Sequence, residues 1–370
     1  MSACLRTTDV KLELLTNIDQ LLFIERGIRG GISTISNRYS LANNKYLPPD
    51  LYNPSEPSKY IMYLDANNLY GYAMSESLPV GGFRFLSYDE IRNFKLESVG
   101  ADDEIGYILD VDLGYPDELH DFHNCYPLAP ESLFVSPKLH SPYAKELLVK
   151  LGRKPGKGTK KLVPNLRNKK NYVVHYRNLQ FYVKHGLVVL NTHKILQFQQ
   201  RPWLAPYIAL NTDKRKSAKS TFEKDFYKLM NNSMFGKTME SLRKRLNVKL
   251  VTEQIQAERY IANPAFESFK IINKNLAMVK SRVSKILWNK PSYIGFCVLE
   301  LSKLLMYQFH YEYVRPTYES KAKLLFTDTD SLCYELSTED AYADMRNELT
   351  ASIPRTTTNN IPITLQKTVK

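Results

Sequence analysis

The segment FTDTDSLCYEL, residues 326 to 336, sets Asp328 and Asp330 one residue apart inside an apolar, aromatic run that reads as a strand and turn. Two carboxylates among Phe326, Leu332 and Tyr334 are costly to bury without counter-charge. The tip is therefore either fully solvated or built around a divalent cation. Taken alone, the pair reads most plainly as a solvated acidic turn.

An acid far upstream adds to the cation reading. Asp65 ends the strand-like part of KYIMYLDANNLYGYAM, in which Ile61, Tyr63 and Asp65 alternate with Met62 and Leu64 as on a strand buried on both faces. Two-metal phosphoryl transfer needs carboxylates from separate segments, because they bridge cations roughly 3.5–4 Å apart that serve the attacking and the leaving oxygen. Asp65, Asp328 and Asp330 would supply that set. Between them lies KSAKSTFEKDFYKLMNNSMFGKT, read as one basic helix whose Lys216, Lys224 and Lys228 share a broad face suited to a polyphosphate.

These segments, in this order, resemble a known family. DANNLYGYAM is similar to the first palm motif of protein-primed family B DNA polymerases, KLMNNSMFG to their KxxxNSxYG finger motif, and FTDTDS to their second palm motif. The likeness is strongest to the enzymes of Polinton/Maverick elements and related viruses, and it runs from about Val10 to Tyr334. It implies an α+β protein with the right-hand polymerase fold, an antiparallel palm sheet and helical fingers, the thumb largely missing. The activity implied is that of a DNA-directed DNA polymerase in the replication of a mobile element or virus. Such an enzyme adds dNTPs to a 3′ or protein-borne hydroxyl on template-primer DNA, using two Mg2+ ions with Mn2+ as a substitute. Mg2+ suits a shell of a few carboxylates completed by water and phosphate oxygens.

Carried onto this chain, the resemblance makes Asp65, Asp328 and Asp330 the catalytic acids, and places these three with the Ala66 carbonyl around the metals. Leu69, Tyr70, Lys216, Lys224, Lys228 and Asn232 would face the nucleotide. Tyr70 would be the ring that collides with a 2′-hydroxyl, and Lys228 the cation that neutralises charge growing as pyrophosphate leaves. Arg29, Gly30 and Gly31, in GIRGGIS where the family carries YxGG, would approach template DNA, as would Ser233, Phe235 and Gly236. Ile28 replaces the usual Tyr, Asn68 and Gly71 a Ser and a Pro, and Phe235 a Tyr. None of these removes a charge. A Gly-Gly pair is also the commonest plain turn, and both readings of residues 30 and 31 stand.

The same resemblance divides the chain into a pre-palm linker (1–57), a first palm part (58–140), a basic insertion that contacts a terminal-protein primer (141–171), fingers (172–246), a second insertion (247–275), a second palm part (276–345) and a divergent tail (346–370). The basic insertion is conspicuous by charge: residues 150 to 172 hold Lys150, Arg153, Lys154, Lys157, Lys160, Lys161, Arg167, Lys169 and Lys170 with no acid. A solvated loop is the plain reading there. Its GRKPGKGTKK core misses the GxxxxGK(S/T) spacing of a phosphate loop. In NKPSYIGFCVLELSKLLMYQFH, Ile294, Val298, Leu301, Leu305 and Phe309 form a helical stripe expected to pack behind the palm sheet.

Composition agrees with a nucleic-acid partner. The chain has 51 Lys+Arg against 38 Asp+Glu, a net charge of +13, which suits a phosphate backbone. Cys4, Cys125, Cys297 and Cys333 are too scattered for a zinc pair or a disulfide frame. His120 and His123 lack further metal ligands, and a structural or DNA-facing role is the expectation. Ser233 has no neighbouring base to activate it. No apolar run approaches the roughly 18 residues of a membrane span, and the first residues lack a signal-peptide core. A soluble intracellular protein is expected, in a nucleus or at a viral replication site. A proofreading exonuclease site, a later palm lysine motif and a thumb are not found in the sequence. An active polymerase core and a truncated, inactive DNA- and nucleotide-binding relic are thus both open.

Overall fold

Strand Lys59–Ala66 forms because apolar and aromatic residues alternate at period two. Tyr60, Met62, Leu64 and Ala66 are buried, and Ile61, Tyr63 and Asp65 are half-buried. The expectation of burial on both faces is corrected here: one face joins the core, and the face carrying Asp65 stays partly open. The computed structural model describes residues 2–154, 158–283, 285–349 and 363–365; Lys157 and most of the tail lie outside them.

Five strands form the acid-bearing sheet, in the order Ser33–Ile35, Ala322–Asp328, Ser331–Ser337, Lys59–Ala66 and Ile363–Leu365, with every neighbouring pair antiparallel. Strands Ala322–Asp328 and Ser331–Ser337 make a hairpin whose tip is Thr329 and Asp330, as the apolar run around the two acids implied. A four-stranded antiparallel sheet stands beside it, in the order Leu78–Phe85, Val188–Arg201, Ile105–Gly114 and Lys169–His175. Strand Val188–Arg201 therefore ties much of the span expected as fingers (172–246) to residues 78–114. Only Ala205–Ser217 and Thr221–Thr238 remain as the long helices of that span.

The span expected as one basic helix is two helices. They break where Ser220 accepts from the Glu223 N–H (3.2 Å) while Glu223 accepts from the Ser220 N–H (3.4 Å), a capping box that starts a new helix. Downstream, Leu246–Val251, Leu276–Arg282 and Phe266–Asn273 form a separate three-stranded sheet. The boundary expected at 275/276 falls inside its hairpin, so this unit extends to Arg282. Strand Thr159–Val163, in the basic stretch, pairs with Glu131–Val135, which lies before residue 141. Lys169 is no surface cation. It is 1% exposed and its ammonium is bonded to Asn165 O (3.0 Å) and Asn165 Oδ1 (2.5 Å), with Glu131 at 3.3 Å. Burial holds that ammonium down at about 8. His123 is likewise structural, buried with its Nδ1 2.8 Å from the Tyr115 hydroxyl.

At the centre runs helix Ser292–Gln308, buried at every position from Ser292 to Tyr307. The expected one-sided stripe is replaced by all-round burial, because the helix is packed by several helices and by strands of the four-stranded sheet. It touches helices Ile18–Gly27, Leu69–Ser75, Tyr176–Lys184 and Thr221–Thr238 and strands Leu78–Phe85 and Lys169–His175. Inside it, Glu300 (0% exposed) lies 3.1 Å from Lys303 Nζ and 3.9 Å from Arg29 Nη1. Lys303 Nζ also donates to the carbonyls of Leu299 (2.9 Å) and Arg29 (3.1 Å). The Arg29 guanidinium donates to Val173 O (2.8 Å) and lies 3.7 Å over the Tyr172 ring.

The result is an α+β protein with antiparallel sheets. Among the described residues no helix is long and apolar enough to cross a membrane. Removing one partner from a buried charge set leaves the others uncompensated. Glu300→Ala is therefore expected to lower unfolding stability by about 3–5 kcal/mol in a urea titration, and a loss under about 1 kcal/mol would mean the charges do not depend on one another.

Candidate active site

The register of the acid-bearing sheet decides which residues meet. Asp65 pairs across the sheet with Ser331, next to the hairpin tip, and the Ala66 N–H donates to the Asp330 carbonyl at 2.7 Å. Asp330 is thereby held beside Asp65 by backbone alone. Burial first, and the Asp330 charge second, push the Asp65 carboxyl above its ordinary value, while Lys228 pulls it down. Burial and then Asp330 push the Tyr70 phenol up as well. Asp65, Asp330, Lys228 and Tyr70 therefore share one electrostatic neighbourhood.

Asp328 is placed differently. It is exposed, and its Oδ1 accepts a hydrogen bond from the Ser33 hydroxyl. Among the described residues no group of three or more acidic, histidine or cysteine side chains converges as a metal cage. Two carboxylates come together at this end of the sheet, and Asp328 stands at its margin. Two close acids, one of which raises the other's cost of ionisation, fit a cation that neutralises both.

The helix Leu69–Ser75 follows the Asp65 strand after Asn68, whose backbone is left-handed (φ 57°, ψ 46°). Gly71 leaves room for the Asn68 side chain: a Cβ at 71 would overlap its amide as it is placed. The two departures from the resembling motif are thus sterically one change. Tyr70 on this helix stacks on Phe235 of Thr221–Thr238, with centroids 4.5 Å apart and planes at 20°. Leu69 is buried in the core, so only its backbone could meet a nucleotide.

Beside this stack lies a cavity of about 1070 Å3 between the Leu69–Ser75 helix and the two long helices. Lys216, Lys224 and Lys228 all line it, although a helix break separates the first from the others. Asn67, Asn68, Arg215 and Asn231 line it too, and the sequence reading missed them. Asn231 had a usable signal, since positions 224, 228, 231 and 235 share a helical face. Asn232, which the motif singled out, is exposed and outside that lining, and the Ser233 hydroxyl is turned back onto the Met230 carbonyl (3.0 Å). Gly236 is exposed with open space where a Cβ would be. A second cleft of about 730 Å3, lined in part by Lys11, Glu13, Gln199 and Arg201, shares no residue with this one.

The glycine segment is split by its surroundings. Arg29, expected to face template DNA, is 7% exposed and turned inward onto Val173 and Tyr172, so its guanidinium is not offered to a phosphate. Gly30 is exposed with nothing near it. Gly31 lies against the acid-bearing turn, where a Cβ would strike the Thr329 side chain.

Asp330→Asn removes a charge that raises the Asp65 carboxyl, so Asp65 should titrate at lower pH than in the unaltered protein. Lys228→Met removes the opposing cation and should move it to higher pH. Carboxyl 13C NMR titration of the metal-free protein reads both shifts, and an Asp65 curve unmoved in both variants would place the three groups out of electrostatic reach.

No family model and no curated protein matches the chain. Among solved structures, Phi29 DNA polymerase complexed with primer-template DNA is similar at 12% sequence identity, over 92% of this chain and 47% of that chain, with a TM-score of 0.50. The orthorhombic crystal form of Phi29 DNA polymerase aligns at 13% identity over 92% and 47% of the two chains, with a TM-score of 0.48. The chain thus spans about half the length of the Phi29 polymerase, and at this identity the likeness is one of fold: a polymerase-like α+β architecture.

Proposed function

We propose that the chain is the polymerase portion of a DNA-directed DNA polymerase, joining dNTPs to a 3′ or protein-borne hydroxyl on a DNA template. The observation that carries this reading is the register that sets Asp65 beside Asp330, electrostatically coupled to Lys228 on the wall of a basic cavity. Asp65 and Asp330 would hold two Mg2+ ions, with Mn2+ as a substitute and the Ala66 carbonyl and Asp328 at the margin. Bound there, the ions would activate the attacking oxygen and stabilise the leaving oxygen.

The remaining work falls to the chain's own residues. The attacking hydroxyl oxygen forms a bond to the α-phosphorus as the bond to pyrophosphate breaks. Lys228, with Lys224, Lys216 and Arg215 around the cavity, neutralises the charge that grows on the leaving group. Tyr70, held against Phe235, presents a ring edge to the sugar and excludes a 2′-hydroxyl. The net charge of +13 suits the phosphate backbone of a duplex. That Phi29 DNA polymerase, similar in fold, is solved with primer-template DNA supports DNA as the partner. A terminal-protein primer belongs to the same proposal through the basic segment 141–171.

Template-directed primer extension with Mg2+ and dNTPs tests the reading. Asp330→Ala should abolish extension while leaving DNA binding nearly intact, because the carboxylate acts through metal and not through phosphate contact. Near-wild-type extension by that variant sinks the assignment, and binding without extension by the unaltered chain favours the inactive relic. In an active chain, Tyr70→Ala should admit ribonucleotides. Sugar discrimination equal to that of the unaltered protein would remove Tyr70 from this role.

A further inference from the structure

The acid-bearing turn is held from outside its own hairpin. Thr329 has a left-handed backbone (φ 60°), a conformation that a β-branched residue adopts only when its surroundings impose it. The surroundings are residues 31–37. The Thr329 N–H donates to the Ile32 carbonyl at 2.8 Å, and the Thr329 side chain lies against Gly31, where any Cβ would collide. Ser33 pairs across the ladder with Asp328 and its hydroxyl donates to Asp328 Oδ1. The N–H groups of Ser36 and Asn37 both donate to the Leu325 carbonyl at 2.9 Å, and Asn37 Nδ2 donates to the Leu324 carbonyl at 2.7 Å. The segment is also anchored behind, because the Arg29 carbonyl accepts from Lys303 of the central helix.

We propose that residues 31–37 form a brace for the acid-bearing turn, and that Ser33 is a positioning residue that sets which oxygen of Asp328 is left to a divalent cation. The inference rests on the two-cation reading above. An ionised carboxylate has two oxygens and about four lone-pair sites. A hydroxyl donated to Oδ1 restricts the rotation of the group and leaves Oδ2 as the oxygen offered to a cation. Without that donor the exposed Asp328 carboxylate rotates freely, and the cation loses a pre-aligned ligand. Groups that orient metal ligands through one hydrogen bond act in this way.

Mn2+ binding to the described chain, read by electron paramagnetic resonance of the free ion, tests the brace without relying on turnover. Ser33→Ala should weaken Mn2+ binding about tenfold, and Ser33→Thr, which keeps the hydroxyl, should stay within about twofold of the unaltered protein. Ser33→Ala at unaltered affinity overturns the brace, and so does Ser33→Thr as weak as Ser33→Ala. Asp330→Ala separates the two levels of the argument. If it weakens Mn2+ binding while Ser33→Ala does not, the brace alone fails; if it too binds Mn2+ normally, the two-cation reading fails and takes the brace with it.

Discussion

A carboxylate, an ammonium and a guanidinium buried together in one protein interior constrain everything packed around them. Taking each ion out of water costs several kcal/mol, and the set is tolerable only while Glu300, Lys303 and Arg29 keep their mutual pairing and their hydrogen bonds. Those bonds reach well beyond the helix. Asn178 donates to the Glu300 carbonyl at 2.8 Å, Arg29 to Val173 O, and Lys303 to the Arg29 carbonyl. Helix Ser292–Gln308 is thereby locked in register to strand Lys169–His175, to helix Tyr176–Lys184 and to the chain just before the glycine pair. Even beside Glu300, burial keeps the Lys303 ammonium below its ordinary value.

Every part of the candidate site is positioned relative to that helix. The Leu69–Ser75 helix, with Tyr70, packs on it, and so does Thr221–Thr238, with Lys228 and Phe235. The close approach of the latter depends on Gly295, where a Cβ would overlap Met239. Glu76, just after the Tyr70 helix, is held by Arg177 at 2.6 Å, which adds a second tie to the same centre. The acid-bearing turn is tied through residues 29–33. A rigid reference of this kind matters because catalytic geometry tolerates little displacement, and side chains placed on packed helices and strands hold position better than those on loops.

The electrostatics of the site have two opposed halves. One end of the sheet brings carboxylates together at a cost, visible in the raised Asp65, and the two long helices put lysines and an arginine into a cavity whose lining includes neither Asp65 nor Asp330 but does include Lys228, which acts on Asp65 electrostatically. A ligand that carries both a polyphosphate and bound cations would satisfy both halves at once. Within the basic half an exposed pair joins Lys216 to Asp213 at 3.6 Å, unlike the buried ion-pair network around Glu300.

Local pattern alone determined a good deal. The period-two alternation around Asp65, the strand and turn of FTDTDSLCYEL, and the helical face of Lys224 and Lys228 are properties of near neighbours along the chain, and sequence displays these directly; the α+β class comes from the motifs' resemblance to a family. Tertiary structure alone decided the rest. Lys169 reads as part of a basic surface segment because charge counts ignore burial, and Arg29 reads as template-facing from its place beside a glycine pair; both are inside, Lys169 bonded to Asn165, and Arg29 to Val173, which is remote from it in sequence. The basic helix read as one because its lysines suggest continuity, while Ser220 and Glu223 had the means to end it. Ser33 bears on the site through a strand pairing that spans nearly the whole described chain, and the Asn68–Gly71 change is legible only as two atoms competing for one space. Contacts between distant segments depend on which strands pair and in which register, and that is set by the packing of the whole core.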